Sequence, residues 1–417
     1  MKKKIFIIVL FLLYKAEAQT SAFKTIDSLS ARGQYKKALQ LLENKRPQTF
    51  TSFRKSADIY YSIDDFKNAL YYYNYALKIK EDNKVQLQLA NSYRKIKQYQ
   101  KAIEIYKDIV DKDADNLFVT YQLGKLYLVT DQLKKAYLIF DKLTKEDTEN
   151  ANYWYQLATI FGKIGDGNKM IDAYLKSYKS DTTHLKSIYK LASVYKKMRK
   201  KDSSNLFVEK GLNLDKNHIN LTKLKINSLY LDKNFKEAIV LLKHLDTINQ
   251  NELYTQKMLG KSYFYLKDYD NAKLYLQKAK VIDREDFKIY TFLGHVEKAL
   301  KNYPRAQSNY FLATMKGKKK RHLEYYSLGL LFLETKEPKI AIRMFKKALE
   351  ENPYHYLSKY QLAITSDATF KDKKIAYKLY DDYVLRFEEK DKKMTAFAKS
   401  RLKELTKQLF LKGEKID

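Results

Sequence analysis

Six histidines, His184, His218, His244, His295, His322 and His355, are the side chains of this chain best suited to proton transfer or metal binding at neutral pH. No two of them stand at the i, i+4 spacing by which a helix presents a zinc pair. His184, His218, His322 and His355 fall at or near segment boundaries, where a polar turn residue is the ordinary occupant. The run Gly162-Lys163-Ile164-Gly165-Asp166-Gly167 has the glycines of a phosphate loop but lacks its Gly-Lys-Ser/Thr ending, and it reads as a turn. With no cysteine there is no disulfide, no thiolate metal site and no thiol nucleophile. The sequence therefore assigns no catalytic residue, no metal site and no cofactor.

Charge offers a different chemistry, that of binding. The net charge is +32, and two basic clusters stand out: Lys196, Lys197, Arg199, Lys200 and Lys201, then Lys316, Lys318, Lys319, Lys320 and Arg321. Such clusters suit lipid head groups or an anionic polymer. Neither is interleaved with aromatic residues as a single-strand nucleic-acid groove would be, so nucleic acid is not an expected partner. Only 11 of the 81 basic residues are arginine, the residue that grips phosphate bidentately. Compositional bias accounts for much of the excess lysine.

The elements that must position these groups announce themselves by repetition. Ala102, Ala136, Ala238, Ala272 and Ala306 lie 34 residues or a multiple of 34 apart, flanked by Ala38, Ala69, Ala341 and Ala376 at spacings of 31 to 35. In the segment 117–150, Leu123, Gly124 and Tyr127 share one helical face, Ala136 and Phe140 share another, and Thr130-Asp131-Gln132 breaks between them. On this frame position 8 is Ala or Gly in nine of eleven repeats, with Ile26 and Ile226 the departures. Position 20 is alanine except at Met170 and Ser204, and position 24 is always large and apolar, from Leu42 and Tyr73 to Phe345 and Tyr380. A small residue facing a large one a helix away is interlocking packing, so each repeat predicts a helix–turn–helix.

The pattern resembles the tetratricopeptide-repeat family. Leu328-Gly329, Phe332, Ala341, Phe345, Ala348 and Pro353 carry the likeness in one repeat, and Leu259-Gly260, Tyr263, Ala272, Leu276 and Ala279 in another. Trp154, Leu157-Ala158, Phe161 and Tyr174 carry it in a third. The resemblance implies an all-α, right-handed superhelical solenoid of about eleven hairpins, whose first helices line a concave groove at positions 2, 5, 9 and 12. Those positions include Arg54, Asn91, Tyr121, Lys125, Tyr155, Tyr189, Lys223, Asn227, Lys257, Lys261 and His295, a mixture of rings, amides and cations suited to a peptide. Lys223, Asn227 and Lys288 partly fit the family's carboxylate clamp, whereas Met258 and Phe292 do not.

The chain ends complete the expectation. Lys2, Lys3 and Lys4, the apolar residues 5–14 and Ala16-Glu17-Ala18 read as a cleavable signal segment over 1–18, too short in its apolar part to span a bilayer. Its removal, with four lysines and one glutamate, would leave a charge of +29. The repeat array is expected over 19–392. A capping helix and tail follow over 393–417, with Met394, Phe397, Leu402, Leu405 and Leu409 as its apolar stripe. Together these features predict an exported bacterial scaffold, periplasmic, envelope-associated or secreted, that does no chemistry and takes no small-molecule substrate. It would bind proteins of an envelope assembly through its groove, the alternative being an anionic polymer or lipid surface bound through the basic faces.

Overall fold

The computed structural model describes residues 21–45, 48–317 and 321–413, so the expected signal segment lies outside the described residues. Among the described residues all regular structure is helical. Residues 21–31 form α1, paired with α2 (Tyr35–Lys45). The next hairpins are α3 (Phe50–Ser62) with α4 (Phe66–Ile79), α5 (Asn83–Lys95) with α6 (Tyr99–Lys112), and α7 (Leu117–Val129) with α8 (Leu133–Glu146). Then come α9 (Ala151–Ile164) with α10 (Gly167–Ser180), α11 (Leu185–Lys197) with α12 (Lys201–Leu214), and α13 (Ile219–Leu231) with α14 (Phe235–Ile248). The series closes with α15 (Leu253–Tyr265) and α16 (Tyr269–Ile282), α17 (Phe287–Ala299) and α18 (Tyr303–Lys316), α19 (His322–Glu334) and α20 (Pro338–Glu351), and α21 (Tyr356–Thr369) and α22 (Lys373–Phe387). A single helix, α23 (Lys392–Leu411), ends the array. The chain divides into two compact units, the first ending at Phe207 and the second beginning at Val208, inside α12.

Local chemistry explains the hairpins. Most second helices follow a turn whose fifteenth repeat residue adopts a left-handed backbone, φ near 60°, at Asp64, Lys97, Asp131, Arg199, Lys233, Lys267, Lys301 and Lys336. Glycine, the usual occupant of that conformation, takes it at Gly165, so the turn expected in the Gly162–Gly167 run is Gly165-Asp166, between the last turn of α9 and the start of α10. Asp and Asn cap the helices: Asp65, Asp82, Asn116, Asp166, Asp268 and Asp372 each accept a backbone N–H from the first turn. Such a cap contributes about 1 kcal/mol.

The core is the interlock of positions 8, 20 and 24. Tyr73, Tyr106, Phe140, Tyr310, Phe345 and Tyr380 are buried completely or nearly so, as are the small residues facing them. A methyl placed on Gly294 would stand 2.5 Å from the Tyr310 ring, and one on Gly260 would stand 2.6 Å from Leu276 Cγ. Those glycines allow helix contact too close for any side chain. The two departures at position 20 are housed locally. Met170 lies against Gly162, whose missing side chain leaves room for the thioether, and the Ser204 hydroxyl donates to the Ala192 carbonyl at 2.9 Å.

α23 closes the C-terminal unit along most of its expected apolar stripe, Leu405 and Leu409 being buried and Met394 and Leu402 packed against the core of the last hairpin. Thr395, Ala398, Leu405 and Leu409 are its buried residues, whereas Phe397 is half exposed. Its docking is completed by ions. Arg401 donates to both oxygens of Asp367 on α21, at 2.7 and 3.2 Å, and Lys373 donates to the same carboxylate at 3.0 Å. Asp367 is buried, which opposes its charge, yet the Arg401 and Lys373 hydrogen bonds hold its carboxyl below the usual range.

Candidate functional site

The side chains of the first helices sort by repeat position into three groups. Position 5 reaches the next hairpin, either its first helix or the residue that caps it. Gln156 donates to the Tyr121 hydroxyl at 3.3 Å, the Tyr155 ring meets His184 at 5.5 Å, Lys257 pairs with Asp286 at 2.6 Å, and Lys223 pairs with Glu252. Thr291 follows the same rule, donating to Glu324 at 3.1 Å. Three predicted groove residues, Tyr121, Lys223 and Lys257, are thus already engaged between hairpins, and Tyr155 is packed there too. Arg54 faces Asp58 on its own helix at 4.0 Å. Tyr189 lies half-buried on α11, also at position 5.

Position 9 is governed by what stands at position 24 of the same repeat. In four of the five repeats with tyrosine at position 24, its buried hydroxyl meets the side chain at position 9, the exception being Tyr380, whose position 9 is Ile364. The Tyr73 hydroxyl donates to Asp58 and the Tyr106 hydroxyl to Asn91, each at 2.7 Å. The Tyr310 hydroxyl stands 2.7 Å from His295 Nδ1, and the Tyr174 hydroxyl 3.5 Å from Thr159. Asn91 and His295 are therefore occupied by the core. His295 is wrapped further by the rings of Phe264, Phe292 and Tyr310, and burial, then Lys298, lowers its pKa to about 4.

Where position 24 has no hydroxyl, position 9 is released. Phe140, Leu242 and Leu276 leave Lys125, Asn227 and Lys261 without a core partner, and none of the three has a hydrogen-bond or carboxylate partner among the described residues. The two lysines are built alike. Lys125 Nζ stands 5.1 Å from the centre of the Tyr121 ring, and Lys261 Nζ stands 4.8 Å from that of Phe292. Burial lowers the pKa of each, and nearby cations add to the effect: Arg94 and Lys186 for Lys125, Lys257 and Lys288 for Lys261, which reaches about 8. Each compact unit thus carries one half-buried cation over an aromatic ring, flanked by like charges, with no anion of its own.

Arg94, Lys186 and Lys288 escaped the list of groove residues. They lie at positions 12, 2 and 2, on the same stripe as the lysines they flank, so the stripe itself was the signal. The basic edges are partly neutralised. Lys316 pairs with Glu285 at 2.6 Å and Arg321 with Glu351, while Lys318, Lys319 and Lys320 lie outside the described residues. In the first cluster Arg199 occupies the left-handed turn between α11 and α12, Lys196 is half-buried, Lys201 opens α12, and Lys197 and Lys200 are exposed. Among the described residues no group of three or more His, Asp or Glu could hold a metal ion, and no helix is long and apolar enough to cross a membrane.

Helical hairpins of 34 residues with small residues at 8 and 20 and a large one at 24 are the arrangement of tetratricopeptide repeats, and the chain carries such repeats. Family models described as tetratricopeptide repeat match residues 93–160, 258–286 and 325–355. Among solved structures it is similar to yeast Tom70 at 12% identity and TM-score 0.43, covering 94% of this chain and 96% of that one. It is similar to the Cut9–Hcn1 hetero-tetramer of APC/C at 14% identity and TM-score 0.47, over 91% and 82% of the two chains. A third, pilF of Pseudomonas aeruginosa, shares 16% identity at TM-score 0.43, over 50% and 95%. No curated protein matches the sequence.

Proposed function

We propose that the chain is a non-catalytic scaffold of a bacterial envelope, exported by the signal segment over 1–18, that holds partner proteins along the faces of its first helices. Tetratricopeptide-repeat proteins generally bind other proteins. The observation that carries the reading here is the pair Lys125 and Lys261. An isolated lysine that is half-buried and repelled by neighbouring cations is poorly stabilised on its own. A carboxylate from a partner segment would relieve both terms, and the ring beneath supplies stiff apolar contact for the backbone around it. Asn227 would add an amide for that backbone.

The basic edges support an anionic polymer or lipid surface less well, because Lys316 and Arg321 already hold carboxylates. The test is capture of partners from an envelope extract by the full chain and by Lys125→Glu and Lys261→Glu, each checked for unchanged helicity. A protein held by wild type and released by either substitution, with modest sensitivity to salt, is the expected result. Binding that ignores both substitutions but collapses steeply as salt rises would point to the polymer instead.

A further inference from the structure

Successive second helices leave a crevice above the first helix between them, and the residue at position 21 decides whether it is filled. Ile103, Ile239 and Ile342 hold that position in three repeats, and each is buried. Lys273 holds it in a fourth, where it pairs with the buried Glu297 at 2.8 Å. Tyr137 and Gln307 are exposed there instead, and beside each of them a cavity of about 460 Å³ stays open. The two cavities share a plan. One is bounded by α8, α9 and α10, the other by α18, α19 and α20, and Phe161 and Phe332 line them from the same position 11. We infer that the cavity between α8 and α10 is a docking socket for an acidic amphipathic helix of a second partner protein, which seats an apolar side chain in it.

The lining sets the chemistry of the occupant. Buried Ile160 and half-buried Leu133 and Phe161 line the cavity, and Leu138 and Ile164, 67% and 55% exposed, extend the apolar surface around its mouth. A helix with an apolar stripe covers such a surface, one knob entering the cavity and its neighbours lying on the exposed residues. The rim is basic. Lys134 is exposed and has no acid among the described residues. Lys169 stands over the Phe161 ring at 5.7 Å and 3.4 Å from Asp166, which is already engaged in capping α10 through the Lys169 backbone N–H at 3.0 Å. Asp131, two residues before Leu133, holds Lys163 at 2.8 Å. Glutamates flanking the stripe of an incoming helix would therefore meet cations and no free acid. A second copy of this chain fits poorly. Leu385 and Phe410, its two most exposed large apolar side chains among the described residues, lie beside Arg386 and Lys407, and the chain carries +32. None of the predicted groove residues lines the socket, so it stands apart from the first-helix reading.

The probe is a stapled, fluorescent peptide helix with leucines at i, i+3, i+4 and i+7 and glutamates on both flanks, and its counterpart carries lysines in place of the glutamates. Each is titrated against the full chain and followed by anisotropy. The acidic helix is expected to bind about tenfold more tightly than the basic one. Tyr137→Ile copies the residue that fills the crevice at Ile103 and should weaken the acidic helix about tenfold, with no loss of stability in a urea melt. Lys134→Glu with Lys169→Glu should reverse the preference between the two helices, whereas Lys278→Glu, exposed on α16, should leave it unchanged. Equal affinity for the two helices, binding of neither, or indifference to Tyr137→Ile would overturn the inference. So would wild-type dimers in sedimentation that Tyr137→Ile dissociates, because a second copy would then be the occupant.

Discussion

Adding one methyl at Gly294 tests the packing on which the rest stands. The Cβ of alanine would lie 2.5 Å from Cδ1 and Cε1 of Tyr310 and 3.0 Å from its Cγ. Ordinary carbon contacts begin near 3.5 Å, so the ring must retreat by about 1 Å. It has little freedom to do so, being wholly buried with its hydroxyl held at His295. Overpacking of this kind costs about 1–3 kcal/mol, and the helix preference of alanine over glycine returns about 1 kcal/mol. The net loss is thus about 0–2 kcal/mol. Ala57, Ala90 and Ala158 face tyrosines at the same position elsewhere, which shows that a wider hairpin can accept the methyl and caps the cost. Gly167→Ala is the control: its methyl meets nothing within 4 Å, and the substitution should gain about 0.5 kcal/mol. Urea melts, with hydrogen exchange read over α17 and α18, give both numbers. A Gly294→Ala chain as stable as Gly167→Ala would refute the close-approach argument.

Three further outcomes follow from groups already described. The folded-state pKa of His295 and of His355 lies at about 4, lowered chiefly by burial, below the usual 6.5. The unfolded chain then binds more protons between those values, so stability is full above pH 6.5 and falls as the pH drops towards 4, by about 1–3 kcal/mol for the two together; His295→Asn should flatten that slope in melts taken across the range. Asp367→Ala leaves Arg401 and Lys373 without their shared carboxylate and should cost about 2–4 kcal/mol, read as early exchange of α23 while α15 and α16 keep their protection. Glu297 is a buried acid at position 11, where most repeats have an aromatic or aliphatic residue, and it pairs with Lys273 at 2.8 Å. Lys273→Leu alone should cost about 3 kcal/mol, whereas Lys273→Leu with Glu297→Leu should be neutral or stabilising in the same melts.

The hairpins were legible because a single geometric need recurs. Gly124, Gly260, Gly294 and Gly329 have to be small wherever a large residue follows sixteen positions later, and that constraint is written in residue types alone. Lysine in a left-handed turn, as at Lys97, Lys267 and Lys301, leaves no such mark, since its type states no preference for the conformation. The groove was legible as a stripe but not as a site. Position 5 residues such as Lys257 are claimed by the acid at position 34, which caps the first helix of the next hairpin, a contact that the helical stripe alone does not show. The separation of His295 and Asn91 from Lys261 and Lys125 was, by contrast, present in the sequence all along, in whether position 24 carries a hydroxyl. The anchoring of α23 by Arg401 rests on Asp367, two elements earlier, and no periodicity points to it.

Photo-crosslinking within cells tests the account most directly. A photoreactive residue at Asn227 or Lys125, on first-helix faces, is compared with one at Leu274 or Leu138, exposed on second helices. The account predicts discrete protein adducts from the first pair and none of the same mass from the second. Adducts from Leu274 and Leu138 alone would place the partner on the opposite helices and contradict it.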